Sequence, residues 1–202
     1  MNKSGCLKLL RQIKDVSIAT INENGHPRVR IIDVMYVDSK KLVFCTARGK
    51  EFYRELIINP YIAITGLTQN YEMIRLHGFV EKLNHQKEWI DRIFIDNPSM
   101  QSVYPQESRY ILEAFCIEKG ELEYFDLSQN PICRMYFSLG EEKEIKRGYV
   151  IGKECIKCGK CQRICPQQCI YKDQVYTIQQ VHCLHCGLCY EDCPVNAIHK
   201  MI

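Results

Sequence analysis

No apolar run in this chain of 202 residues approaches the roughly 18 residues of a membrane-spanning helix. Its opening, MNKSGCLKLLRQIKD, lacks the uninterrupted apolar stretch of a secretory signal. It reads as a short amphipathic helix with Leu9, Leu10 and Ile13 on one side. A cytoplasmic protein without a membrane partner is the expectation. Charge of one sign is also missing, since 27 Lys and Arg against 24 Asp and Glu leave only +3. The basic residues are scattered and do not form the stripe that nucleic acid would require. No Gly-x-Gly-x-x-Gly follows a strand-like run, so a Rossmann nicotinamide site has no support. No activated nucleophile or acid–base pair stands out, and catalytic residues stay unassigned.

Cysteine is what the chain has in excess. Nine of its 13 cysteines fall between Cys155 and Cys193, and Cys6, Cys45, Cys116 and Cys133 are dispersed. Clustering without a secretion signal argues for metal ligation over disulfides. The dispersed four are expected as packed thiols, with Cys6, near the terminus, the most exposed.

Residues 155–166 read CIKCGKCQRICP and residues 183–194 read CLHCGLCYEDCP. Both are Cys-x2-Cys-x2-Cys-x3-Cys-Pro, and overlaying them also matches Gly159 with Gly187 and Ile170 with Ile198. This is one supersecondary unit duplicated. A tight loop supplies three thiolates to an iron–sulfur core, and in runs of this form the fourth cysteine ligates the other cluster. One 4Fe–4S cluster therefore takes Cys155, Cys158, Cys161 and Cys193, and the other takes Cys183, Cys186, Cys189 and Cys165. Structural zinc sites favour two separated Cys-x2–4-Cys pairs, which this spacing does not match. So short a segment has little core of its own, and cluster assembly should be coupled to its folding. Cys169 sits where the second repeat has Ala197 and reads as a packed residue. His182 and His185 either pack the loop or tune a cluster through hydrogen bonds. IYKDQVYTI (170–178) reads as a hairpin turning near Lys172 and Asp173. The segment from about 150 to 202 resembles the bacterial two-cluster 4Fe–4S ferredoxins.

The first 150 residues have a different pattern. Strand-like runs at 16–22, 27–38, 41–46, 61–67, 71–83 and 109–120 alternate with turn residues, and helical patterns occupy 50–58 and 86–96. Many strands with few helices suggest an antiparallel barrel with accessory helices. GHPRVRIID puts Arg28 and Arg30 on one face of a strand. FCTARGK then brings Thr46, Arg48 and Lys50 to the start of a helix that stops at Asn59-Pro60. A cation and a hydroxyl beside a helix N-terminus make a phosphate cradle. Arg28 is either part of it or a solvated strand residue, and Arg48 reads as surface. Arg75 faces the barrel edge or a bound ring. Trp89 reads as core, and His26 and His77 as structural.

This arrangement resembles the FMN-binding split-barrel family that includes the pyridoxamine 5′-phosphate oxidases. The resemblance rests on Gly25, Pro27 and Arg30, on Phe44 and Thr46, on Lys50, on Asn59-Pro60, and on a strand expected to end in Gly78. It implies an FMN whose phosphate meets Arg30, Thr46 and Lys50, with Arg28 as a further candidate, and a homodimer with flavin at its interface. No counterpart of the oxidases' C-terminal substrate segment is found, which sets vitamin B6 chemistry aside. The expected fold is a mainly β split barrel (1–138), a connector (139–149) and a small α+β ferredoxin-like domain (150–202). The expected function is an oxidoreductase. It passes electrons from a ferredoxin or reductase through two 4Fe–4S clusters to FMN and on to a small organic acceptor. The alternative is an electron-transfer protein or redox sensor with no substrate of its own, and a related variant holds a deazaflavin or haem in the barrel.

Overall fold

A computed structural model describes residues 1–201. They form two compact units that interleave along the chain. The first comprises Met1–Thr68, Met73–Glu123 and Phe137–Lys143, the second Gln69–Glu72, Tyr124–Tyr136 and Glu144 onward. Residues 124–136 lie within the sequence's first domain, yet they group with the second unit.

The chain enters through α1 (Lys3–Ile13), whose N-cap Asn2 accepts from the Gly5 amide at 2.8 Å. Such a cap is worth about 1 kcal/mol. The helix buries Cys6, Leu7 and Leu10. Cys6 is therefore fully enclosed and not the most exposed thiol, because it lies on the same helical face as Leu10. Strands β1 (Asp15–Ile21), β2 (Pro27–Asp33), β3 (Tyr36–Val37), β4 (Leu42–Ala47), β5 (Tyr61–Leu67), β6 (Glu72–Lys82), β7 (Leu112–Asp126) and β8 (Cys133–Leu139) build one sheet. Its order is β2-β1-β5-β6-β7-β4-β3, with β8 pairing β7 off this path. Helices α2 (Glu51–Ile58), α3 (Gln86–Asp96) and the short α4 (Met100–Val103) complete the mainly β fold expected.

Period-two burial drives the sheet. In β5, Ile62 and Ile64 point inward while Tyr61, Ala63 and Thr65 stay exposed. Phe44 stacks on Phe115 and Phe52 at the centre, and α3 adds Ile90, Ile93 and Phe94 against β4 and β7. The expected run 27–38 splits because Val34 and Met35 turn into the core, where the Met35 amide donates to the Val43 carbonyl. β6 also continues past Gly78. A methyl group at Gly78 would sit 2.1 Å from the Lys119 carbonyl oxygen, and one at Gly120 would sit 2.2 Å from that of His77. The backbones of β6 and β7 meet there too closely for any side chain.

In the second unit β9 (Gly148–Ile151) pairs antiparallel with β12 (Ile198–Met201), and β10 (Ile170–Lys172) with β11 (Tyr176–Ile178). Each cysteine repeat runs through a loop, a short helix and a strand. Helix α5 (Lys160–Ile164) leads to β10, and α6 (Leu188–Glu191) leads to β12. Gly159 and Gly187 start the two helices at φ of 73° and 84°. Tyr176 lies over the first and Tyr149 over the second, so the duplication extends to the packing.

Candidate cofactor sites

In the first unit a cavity of about 460 Å³ opens between β2, the end of β4 and the start of α2. That volume is in the range of small-molecule sites. Arg30, Thr46 and Lys50 all line it, together with apolar Met35, Phe52 and Leu112 and the acid Asp33. Lys50 is the exposed N-cap of α2, and Thr46 is buried at the end of β4. Arg28 shares Arg30's face of β2 but is exposed and outside the cavity wall.

Arg30 is already engaged from within. It pairs with Glu55 at 2.7 Å, donates to the Thr20 hydroxyl at 2.9 Å and lies 4.5 Å over the Phe52 ring. Thr20 in turn donates to Glu55 at 2.5 Å. Burial raises the Glu55 pKa, but the hydrogen bonds from Thr20 and Arg30 and the Arg30 charge outweigh it and hold the carboxyl below its usual range. Glu55 thus fixes the guanidinium while offsetting part of its charge. Asp33 behaves oppositely: burial, then a hydrogen bond with Asp15, raises its pKa. Two cations and a hydroxyl sharing one cavity with apolar side chains suit a phosphate-bearing ring.

Sequence reasoning missed Asp33, Cys45, Met100 and Tyr104, all in this cavity's wall. Asp33 closes the very strand run that carries Arg28 and Arg30, which was the available signal. The other basic candidates lie elsewhere. Arg48 donates to the Tyr110 carbonyl at 2.9 Å, and Arg75 pairs with Glu123 at 2.8 Å. His77 bonds the Tyr61 hydroxyl at 2.7 Å, and Trp89 tilts against Tyr36.

In the second unit the repeats cross. One void is lined by Cys155, Cys158, Cys161 and Cys193. The other is lined by Cys165, Cys183, Cys186 and Cys189, with Cys169 beside them. Amides of Ala197 and His185 donate to the sulfurs of Cys193 and Cys183 at 3.2 and 3.4 Å. Burial, then the charge of neighbouring thiolates, pushes Cys189 up to about 11, and burial raises Cys161. Thiols gathered this closely resist ionising together unless a cationic core neutralises them, which fits iron–sulfur ligation. Cys183 is brought down to about 6 by a hydrogen bond from Cys169, against its burial, with the His185 amide and the Arg134 charge adding to the effect. Cys169 is buried, as a packed residue is, with its sulfur in contact with that of Cys165 at 3.6 Å. His182 bonds the Ile132 carbonyl at 2.8 Å, and His185 stacks on Tyr136.

A family model described as pyridoxamine 5′-phosphate oxidase matches residues 5–107, about half the chain, and one described as 4Fe-4S dicluster domain matches residues 154–197. The pyridoxine/pyridoxamine 5′-phosphate oxidase of Burkholderia ambifaria is 32% identical over 84 residues, 41% of this chain and 38% of that protein. The same-named protein of Burkholderia thailandensis is 33% identical over 109 residues, 49% of this chain and 50% of that one. The chain spans half or less of the length of these curated relatives. Among solved structures, a NimC/NimA family protein from Clostridium acetobutylicum superposes with a TM-score of 0.57 at 24% identity, covering 68% of this chain and 92% of that one. General Stress Protein 26 from Bacillus anthracis gives 0.55 at 13% identity, covering 69% and 100%. Identities this low establish a likeness of fold. No helix among the described residues is long and apolar enough to cross a membrane.

Proposed function

The chain belongs to the pyridoxamine 5′-phosphate oxidase family, and on that premise we propose a flavin- and iron–sulfur-dependent oxidoreductase. It passes electrons through two 4Fe–4S clusters to FMN and on to a small organic acceptor. The fold is the family's FMN-binding split barrel, and the chain also carries a two-cluster 4Fe–4S domain. One observation carries the proposal: a phosphate-suited cavity and two four-thiol voids occur in the same chain. Clusters move single electrons, and a bound flavin supplies the step from single electrons to a pair.

Arg30 and Lys50 bind the phosphate end, with Thr46 donating its hydroxyl, and Arg28 contributes only longer-range charge. Met35, Phe52 and Leu112 exclude water from the ring. Asp33, its pKa raised by burial, is the cavity group suited to hold a proton near the substrate. Cys155, Cys158, Cys161 and Cys193 hold one cluster, and Cys183, Cys186, Cys189 and Cys165 hold the other. Anaerobic purification with metal and flavin quantitation tests the cofactor load, with about eight irons and one FMN per chain expected. Reducing the clusters anaerobically should then reduce the flavin, and a flavin that stays oxidised would defeat the electron path.

A homodimer is part of the proposal. Register places Val29, Ala19, Ala63 and His77 in one row across β2, β1, β5 and β6, with Tyr61 and Phe79 beside them on the same face. Val29 is 69% exposed and Phe79 54%, a broad apolar face that a second copy would cover. Analytical ultracentrifugation should find a dimer that V29E/F79E dissociates.

A further inference from the structure

The two repeats carry one motif, and their surroundings differ. From 153 to 165 the first repeat has four basic residues, Lys153, Lys157, Lys160 and Arg163, against the single acid Glu154. The equivalent stretch of the second, 181 to 193, has no Lys or Arg and carries Glu191 and Asp192. Lys157 and His185 hold equivalent loop positions with φ of 59° and 57°, so backbone shape is the same and only the side chains changed.

Cover differs as well. The second loop is packed: Arg134 donates to the Leu184 carbonyl at 2.9 Å, His182 bonds the Ile132 carbonyl, and Tyr136 stacks on His185. The first loop presents Ile156 at 61% exposure, with Lys157 and Arg163 also exposed, while Cys158 and its equivalent Cys186 are exposed alike. Arg163 lies against this loop, donating to the Cys158 carbonyl at 3.2 Å. Lys160 lines the void of Cys155 and Cys158 while pairing with Asp192 at 2.9 Å, and Glu154 sits 3.5 Å from His199. Positive charge is therefore concentrated around an apolar tip at the accessible end of one cluster site.

We propose that this basic rim docks an acidic one-electron carrier protein, and that the first cluster site is the port through which electrons enter. The inference rests on the iron–sulfur reading above. One electron leaves the carrier's reduced centre and enters an oxidised 4Fe–4S core. No bond forms or breaks, and the carrier leaves oxidised. An apolar tip within a charged rim is the anatomy of a transient interface, in which charge sets encounter rate and orientation.

The test mixes the anaerobic holoprotein with a reduced acidic two-cluster ferredoxin and follows cluster bleaching by stopped flow, with titration calorimetry of the complex alongside. K153E/K157E should slow reduction by about tenfold at low salt and weaken binding in step, and the difference should vanish at high salt. E191K on the second repeat should leave the rate unlowered. Reduced methyl viologen, a small reductant needing no docking, should bleach the clusters of all three proteins without loss of rate. Equal ferredoxin rates for K153E/K157E and the parent would overturn the proposal, as would single-stranded RNA binding the rim in place of the ferredoxin. Failure of viologen to bleach any of them would instead overturn the iron–sulfur reading beneath it.

Discussion

At the centre of the first unit lie Phe44, Phe115 and Ile64, while at the centre of the second lie Cys161, Cys183 and Cys189 beside a handful of apolar side chains. Each buried Phe contributes about 2 kcal/mol through removal of apolar surface. The first unit accumulates many such terms over its sheet and helices. The second has a smaller set, Ile170, Ile178, Ile198 and Tyr176 around the cysteines with Tyr124, Phe125 and Ile132 from its other segment, to set against the entropy of ordering its loops. Bonds between iron and sulfur would supply the rest. On the proposed reading the chain joins a self-sufficient scaffold to a unit whose folding is coupled to cluster loading.

The largest effect should come from removing the clusters. Anaerobic chelation should unfold the second unit almost completely and leave the first with its cooperative transition intact. Hydrogen exchange resolves the two: amides of β9 to β12 should lose protection, and those of β4 and β5 should keep it. C158A should act on the same unit, with about half the iron lost. Protection that persists in β9 to β12 without iron would abolish the contrast drawn between the units.

Next in size is G78A, which attacks the self-sufficient unit. Its methyl group would meet the Lys119 carbonyl at 2.1 Å, and backbone cannot step aside as a side chain can. A loss of about 3 kcal/mol in chemical denaturation is expected. The loss should fall on the first unit's transition alone.

The same contrast explains what was legible from the residues. Cysteine spacing exposed the crossed grouping directly, because ligation chemistry fixes residue type and separation together. Alternation exposed β1 and β5, whose inward and outward faces differ in polarity. β8 escaped because CRMYFSL is mostly half-buried and shows no alternation. The stretch around Arg134, otherwise uncharged, gave no hint that it packs on the loop at 183–185. At the cavity, Arg30, Thr46 and Lys50, read in the sequence as a phosphate cradle, line one cavity wall together. Glu55 was hidden inside a helix read for its N-terminus, and its pairing with Arg30 depends on register across three elements.

A smaller effect should distinguish the cations of that cavity. K50A and R30A should each weaken FMN binding by about tenfold, the scale of one charge-assisted hydrogen bond. R28A should change it less than about twofold, since an exposed charge outside the wall is screened. Fluorescence quenching of free FMN measures all three. An R28A loss as large as that of K50A would redraw the site around the outer edge of β2.

The smallest expected effect concerns pH and belongs to the first unit alone. Glu55 is nearly enclosed, and its hydrogen bonds from Thr20 and Arg30 favour the carboxylate in the folded chain. A carboxyl whose pKa is lower folded than unfolded adds stability that is complete above the ordinary glutamate value of about 4.3. That stability is lost as pH falls through the lower folded value. The first unit's transition should therefore weaken as pH falls from about 4.3 toward that lower folded value. E55Q should flatten this part of the pH dependence while costing stability near neutrality, because the amide keeps shape and loses charge. It should also release Arg30 from its internal partner, so FMN affinity should hold or rise even as stability drops. A fall in both would mean that the Glu55 charge is needed to aim the guanidinium, and that orientation outweighs charge in this cavity.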